Sequence, residues 1–170
     1  MIADPTSPVC RKPAGGVAAV ELSAAANIRD IEFEEGGGLT VCSLLNFADN
    51  SAVMRCELLE ERSSFVETLT ADGSSVAVKH TLKLVADRNM AQGWLEPRFI
   101  SEAMCGGIVA LVTLADGRRF IAGVSRKFGL EQPLRLKSIT VDSGRSATDE
   151  PVVELILESF DTAFASTLEA

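Results

Sequence analysis

Apolar and polar residues alternate through most of this chain, and helical spacing is confined to one short stretch. In residues 74–85 Val76, Val78, Leu82 and Leu84 share one parity, while Ser75, Ala77, Lys79, Thr81 and Lys83 share the other. That period of two predicts a strand with one face to a core and one to water. His80 falls on the apolar side. The run Ile108-Val109-Ala110-Leu111-Val112-Thr113-Leu114 is apolar at both parities, so it is expected to be covered on both faces at the centre of a fold. Asp116-Gly117 follows it, and residues 118–124 return with Phe120, Ile121 and Val124, the pattern of a β-hairpin. Asp72-Gly73 predicts a second hairpin between residues 65–71 and 74–85.

The same reading places a strand at 17–22, a helical turn at 24–29, and strands at 31–34 and 39–45 around Gly36-Gly37-Gly38. Residues 53–59 fit strand and helix equally. A last pair of strands, 134–141 and 152–158, is joined by a polar loop over 142–151. In the final one Val153, Leu155 and Leu157 oppose Glu154 and Glu158. Between Leu136 and Ile139 the apolar parity switches, which predicts a β-bulge or bend near Ser138. Pro97 followed by Phe99, Ile100, Ala103 and Met104 predicts one short amphipathic helix with proline in its first turn, ended by Gly106-Gly107. Trp94, just before it, is expected to anchor that helix on the sheet. The expected fold is therefore mainly β (α+β), an antiparallel β-barrel or sandwich with one flanking short α-helix. Its expected parts are an N-terminal arm over 1–16, rich in proline and glycine, a single domain over 17–160 and a C-terminal tail over 161–170.

With 170 residues, 46% of them hydrophobic, the chain has material for one domain with a real core. Its 16 basic and 24 acidic residues give a formal net charge of −8, which disfavours stable nucleic-acid binding. No export signal opens the sequence and no apolar run approaches the ~20 residues that span a bilayer, so a cytoplasmic location with no membrane partner is expected. Cys10, Cys42, Cys56 and Cys105 lie too far apart for a CxxC motif and read as reduced structural thiols. Their even number also admits one or two disulfides, among three connectivities that spacing does not choose between.

Candidate chemistry is sparse. His80 is the only histidine, and its apolar neighbours make it a packed core or rim residue rather than a general base. One histidine with scattered cysteines forms no metal shell. Glu34-Glu35 and Glu60-Glu61 are adjacent, and adjacent strand residues point to opposite faces, so they read as solvated charges. The paired glycines lack the spacing of a phosphate-binding loop. Arg118-Arg119 and Arg126-Lys127 read as solvated hairpin charges. No catalytic, cofactor-binding or metal-binding residue is predicted, and no enzyme is expected.

From Ser75 onward the chain resembles the phage tail-tube family, which includes tube-like proteins of prophages and contractile secretion systems. The residues that carry the likeness are the paired strand 76–85, the helix Pro97–Met104, and Gly107-Ile108-Val109-Ala110-Leu111-Val112 with Asp116-Gly117. Further along they are Gly123, Phe128-Gly129-Leu130, and Asp142-Ser143-Gly144 with Asp149 before the closing strand. Pro151 departs from the pattern, where that loop more often has glycine and an aromatic. The resemblance implies a small β-barrel or sandwich whose copies assemble as stacked rings in a virion or tail-like particle. It also implies other tail or sheath proteins as partners. Residues 1–16 and the hairpin 65–85 are the candidate interfaces. The lumen of such a tube passes DNA, and a charge of −8 suits a wall that repels phosphate if acidic side chains line the bore. The alternative reading is a small-ligand-binding β-barrel whose helix caps a cavity.

Overall fold

A computed structural model describes residues 15–36 and 39–168; the greater part of the predicted arm and the glycines of the 36–38 corner beyond Gly36 lie outside the described residues. The chain is mainly β, built as a sandwich of two sheets with one helix. Four strands open it: β1 (Val17–Ala24), β2 (Ile28–Gly36), β3 (Leu39–Phe47) and the short β4 (Met54–Cys56). The long hairpin β5 (Ser64–Asp72) and β6 (Ser75–Asp87) follows, then α1 (Pro97–Met104). Next come β7 (Ile108–Leu114), β8 (Arg119–Ala122), β9 (Arg135–Asp142), β10 (Val152–Asp161) and β11 (Ser166–Leu168). One sheet has the order β2-β3-β11-β8-β7-β1-β4 and the other β5-β6-β10-β9. Neither is closed into a barrel, so of the two expected forms the sandwich is the one adopted.

The main core lies between the sheets. Val20 and Leu22 of β1 and Ile108, Ala110 and Val112 of β7 meet Leu82 and Leu84 of β6 and Leu155 and Leu157 of β10. Trp94 (2% exposed), Phe99 and Ala103 join the same cluster, so the helix rests on the sandwich through the anchor the sequence predicts. The opposite parity of β7 is buried as well. Val109 and Leu111 pack with Ile121 of β8, Cys42 of β3 and Val124, against Ile31, Phe33 and Leu45 of the β2-β3 ribbon. The doubly apolar strand is thus covered on both faces, by the second sheet on one side and by the curled end of its own sheet on the other.

Two local devices match their sequence signals. The β9-β10 register runs Ile156 to Ser138 and then Leu157 to Leu136, skipping Lys137. This irregularity returns Leu136 and Ile139 to one face despite their odd spacing. The β7-β8 turn is closed by Gly117 N–H to Leu114 O and by Arg118 N–H to Asp116 Oδ1, each 3.0 Å. In the other hairpin Asp72 pairs with Ser75, so the two turn residues are Gly73-Ser74, one position later than Asp72-Gly73. Gly73 takes the positive φ that this turn needs. The ambiguous stretch 53–59 yields only the three-residue β4.

The segment after residue 160 differs from the expected tail. β11 lies between β3 and β8, parallel to the first and antiparallel to the second. Three residues carry too little alternation to read as a strand, and their pairing is supplied from outside. The approach to β11 is held by side chains of the other sheet. His80, 3% exposed, sets Nε2 3.2 Å from Ala163 O and 3.4 Å from Glu67 Oε1. Because the Ala163 carbonyl can only accept, Nε2 carries the hydrogen. Glu67, directly across from His80, also accepts from the Ala165 N–H, and Ser125 Oγ donates to Asp161 Oδ1 at 2.9 Å.

Gly107 and Gly117 separate two costs of adding a side chain. Both have positive φ, +85 and +90, but a Cβ on Gly107 would fall 2.1 Å from Pro133 Cγ while one on Gly117 meets nothing within 4 Å. Gly117→Ala is expected to cost about 1–2 kcal/mol of backbone strain, and Gly107→Ala at least about 3 kcal/mol, read as the shift in urea midpoint. Equal losses would show that packing at Pro133 relaxes freely.

Candidate assembly surface

One end of the four-stranded sheet is exposed, and its exposure follows from strand lengths. β10 pairs with β6 only as far as Asp161 opposite Val78. Beyond that point β5 and β6 continue as a two-stranded ribbon, and residues 68–77 are exposed on both faces. Leu69 and Val76, 46% and 43% exposed, lie on the core-facing side of this overhang, past the end of the opposing sheet. Val66, 50% exposed, lies on the other side. Val76 therefore departs from the expected alternation: its parity is right, but the partner sheet does not reach it.

The edges of this sheet are β5 and β9. All three pairings within it are antiparallel, so β5 and β9 run in opposite directions. Their lengths, nine and eight residues, are matched. β9 carries Arg135, Lys137 and a register irregularity, devices that blunt an edge. β5 carries no proline or lysine, and its single glutamate, Glu67, is turned inward to the β11 approach. At the far margin of the other sheet, β2 exposes Asp30, Glu32 and Glu34. Those charges guard that edge.

The solvent face of the four-stranded sheet is a lattice of paired charges. Glu158 lies 3.0 Å from Lys79 Nζ and 2.9 Å from Lys137 Nζ, and Lys83 lies 3.4 Å from Glu154. Burial opposes ionisation of Glu158, but the hydrogen bonds from Lys137 and Lys79 outweigh it and hold the carboxyl below its ordinary range. With Arg135 and Asp142 added, this face is close to neutral. The acidic wall expected of a bore is absent from it, because the acidic residues of β2 lie on the other sheet.

The remaining candidates are dispersed. His80 is buried beside Phe65, whose ring centroid is 6.0 Å away, and serves the β11 approach. Arg118 pairs with Asp116 at 2.6 Å, and Lys127 lies over the Phe128 ring at 5.3 Å. Cys42, Cys56 and Cys105 are free thiols, while Cys10 lies outside the described residues. Burial pushes the Cys56 thiol up to about 11 against the opposing hydrogen bond from Trp94, and burial also raises Cys42. Among the described residues no cluster of three or more His, Cys, Asp or Glu could hold a metal ion, and no helix is long and apolar enough to cross a membrane. The overhang escaped the alternation analysis because an exposed apolar residue keeps the same parity as a buried one.

Two measurements check this description. At neutral pH iodoacetamide is expected to label exposed Cys105 at least about tenfold faster than Cys42 or Cys56, mapped by peptide mass spectrometry. Comparable labelling of Cys56 would contradict its burial. Glu158, with a depressed pKa, contributes stability that is full above its ordinary value of 4.5 and is lost as pH falls through the depressed one. Glu158→Gln is expected to cost about 0.5–1 kcal/mol at pH 7, with the gap to the parent closing on acidification. A gap that is constant with pH would exclude the charge pairing as its source.

Comparison of the chain with protein-family models and with curated proteins returns no match.

Proposed function

We propose that this chain is a non-enzymatic structural subunit that assembles head to tail into rings, similar to the tail-tube subunits of phages and prophages. The observation that carries the reading is the opposite direction of the two edge strands of the four-stranded sheet, the unblunted β5 and the basic β9. Four strands of alternating direction leave one edge running each way, so β9 of one copy meets β5 of the next as another antiparallel pair. The contact is heterologous, and repetition about an axis closes a ring. The unblunted β5 edge and the exposed Val66, Leu69 and Val76 supply the hydrogen-bonding groups and apolar area for it. In a virion or tail-like particle, other tail or sheath proteins would contact the same rings.

The alternative, a small-ligand-binding domain, draws its support from a groove beside α1. The helix itself plugs the sandwich through Phe99 and Ala103, packed in the main core, so the space near it opens outward. A charge-paired sheet face also suits a wall past which DNA moves, because lysines neutralised by Glu154 and Glu158 offer little to phosphate.

Light scattering over a wide concentration range, with negative-stain imaging of the most concentrated sample, tests the proposal. Rings of uniform diameter are expected. Val66→Lys with Leu69→Glu is expected to weaken assembly at least tenfold while moving monomer stability by less than about 0.5 kcal/mol, since both sites are half exposed. A monomer at every concentration, or assembly unchanged in the double variant, would overturn it.

A further inference from the structure

The β2-β3 ribbon is joined to the rest of its sheet by a narrow seam. Among the described residues β2 pairs with β3 alone, and β3 pairs otherwise only with β11, through Thr167 opposite Val41 and Leu168 opposite Cys42. On its other side β11 holds β8 through Ser166 opposite Ile121 and Thr167 opposite Phe120. The base of the ribbon is fixed separately. Ala48 N–H donates to Asn27 O at 2.8 Å, and the Asn27 side chain donates to Asp49 O (2.9 Å) and accepts from Asp49 N–H (3.0 Å). One end of the ribbon is therefore pinned, while its other half depends on the three residues of β11.

β11 itself is tethered from the opposite sheet. Phe164, in the middle of the crossover, is 54% exposed, so apolar burial does not hold this segment. Polar contacts do: His80 Nε2 lies 3.2 Å from Ala163 O, and Glu67 accepts from Ala165 N–H, the residue before β11 begins. Both side chains belong to the β5-β6 hairpin. Under the ribbon lies the second apolar cluster, Val109, Leu111, Ile121 and Val124 with the fully buried Cys42. The backbone of β7 divides it from the main core, so lifting the ribbon uncovers this cluster and leaves the packing of Leu82, Leu155 and Leu157 intact.

We propose that β2, β3 and β11 form a lid that opens as one unit about its base at Asn27, parting β11 from β8, and that His80 and Glu67 are the latch that keeps it shut. Opening exposes an apolar face of β7 and β8 and frees the Cys42 thiol, while the main core between the sheets stays closed. A segment attached by a few polar contacts opens at a lower free energy than core strands do. The lid belongs to each subunit and does not depend on the ring reading.

The full-length chain, kept dilute, is pulsed with N-ethylmaleimide at concentrations low enough for reclosing to outpace labelling, and Cys42 is followed by peptide mass spectrometry. Hydrogen exchange is measured in parallel on the amides of 28–47, 80–86 and 152–158. Cys42 and the ribbon amides are expected to share an opening at least about ten times more populated than the one that exposes β6 and β10. Its urea dependence is expected to be less than about half as steep, because less surface is uncovered. Glu67→Ala and His80→Leu are each expected to raise Cys42 labelling at least about tenfold. Val153→Ala, in the main core, is expected to speed exchange in β6 and β10 at least about tenfold and to change Cys42 labelling by less than about twofold. Circular-dichroism melts verify that each variant is folded, and the urea comparison needs the parent chain alone. Cys42 labelling that follows the β6 and β10 amides, in urea or in Val153→Ala, would show a single cooperative unit and overturn the proposal. Labelling unchanged by both Glu67→Ala and His80→Leu would overturn it by removing the latch.

Discussion

Burial of β7 on both faces is the requirement from which the other layers follow. A strand reading Ile108-Val109-Ala110-Leu111-Val112 cannot turn either face to water without exposing several large apolar side chains, each worth about 1.5–3 kcal/mol when buried. The four-stranded sheet and α1 cover one face, and the curled β2-β3 ribbon covers the other. The ribbon reaches that position because β11 joins it to β8. A three-residue strand near the end of the sequence therefore links the two halves of the larger sheet.

That dependence explains the placing of the most polar buried group. His80 and Glu67 sit opposite one another on the core-facing side of β5 and β6, where an unpaired pair would be costly. They are satisfied by Ala163 O and Ala165 N–H, backbone atoms of the crossover into β11. The histidine thus couples the smaller sheet to the larger one.

The distribution of charge separates protected edges from unprotected ones. β2 exposes acidic residues and β9 has basic residues with a register irregularity, while β5 exposes Asp72 as its only charge, at its turn end, and extends with β6 beyond β10 as an apolar-dotted ribbon. The broad face between β5 and β9 neutralises itself through Lys79, Lys83, Lys137, Glu154 and Glu158. A net charge of −8 therefore describes the whole surface and predicts little about any one face.

The local features were legible in the sequence because local rules decide them. Proline at the first turn and apolar residues four apart define α1. The parity switch between Leu136 and Ile139 marks the β9 irregularity, Asp116-Gly117 marks a turn, and the double apolar parity of residues 108–114 marks a central strand. Strand partners were not legible. Parallel insertion of β11, the choice of sandwich over barrel, the overhang that exposes Leu69 and Val76, and the pairing of the β10 glutamates with lysines on β6 and β9 all join residues distant in sequence. Periodicity states which side of a strand is apolar, whereas only the assembled sheets decide whether another layer extends far enough to cover it.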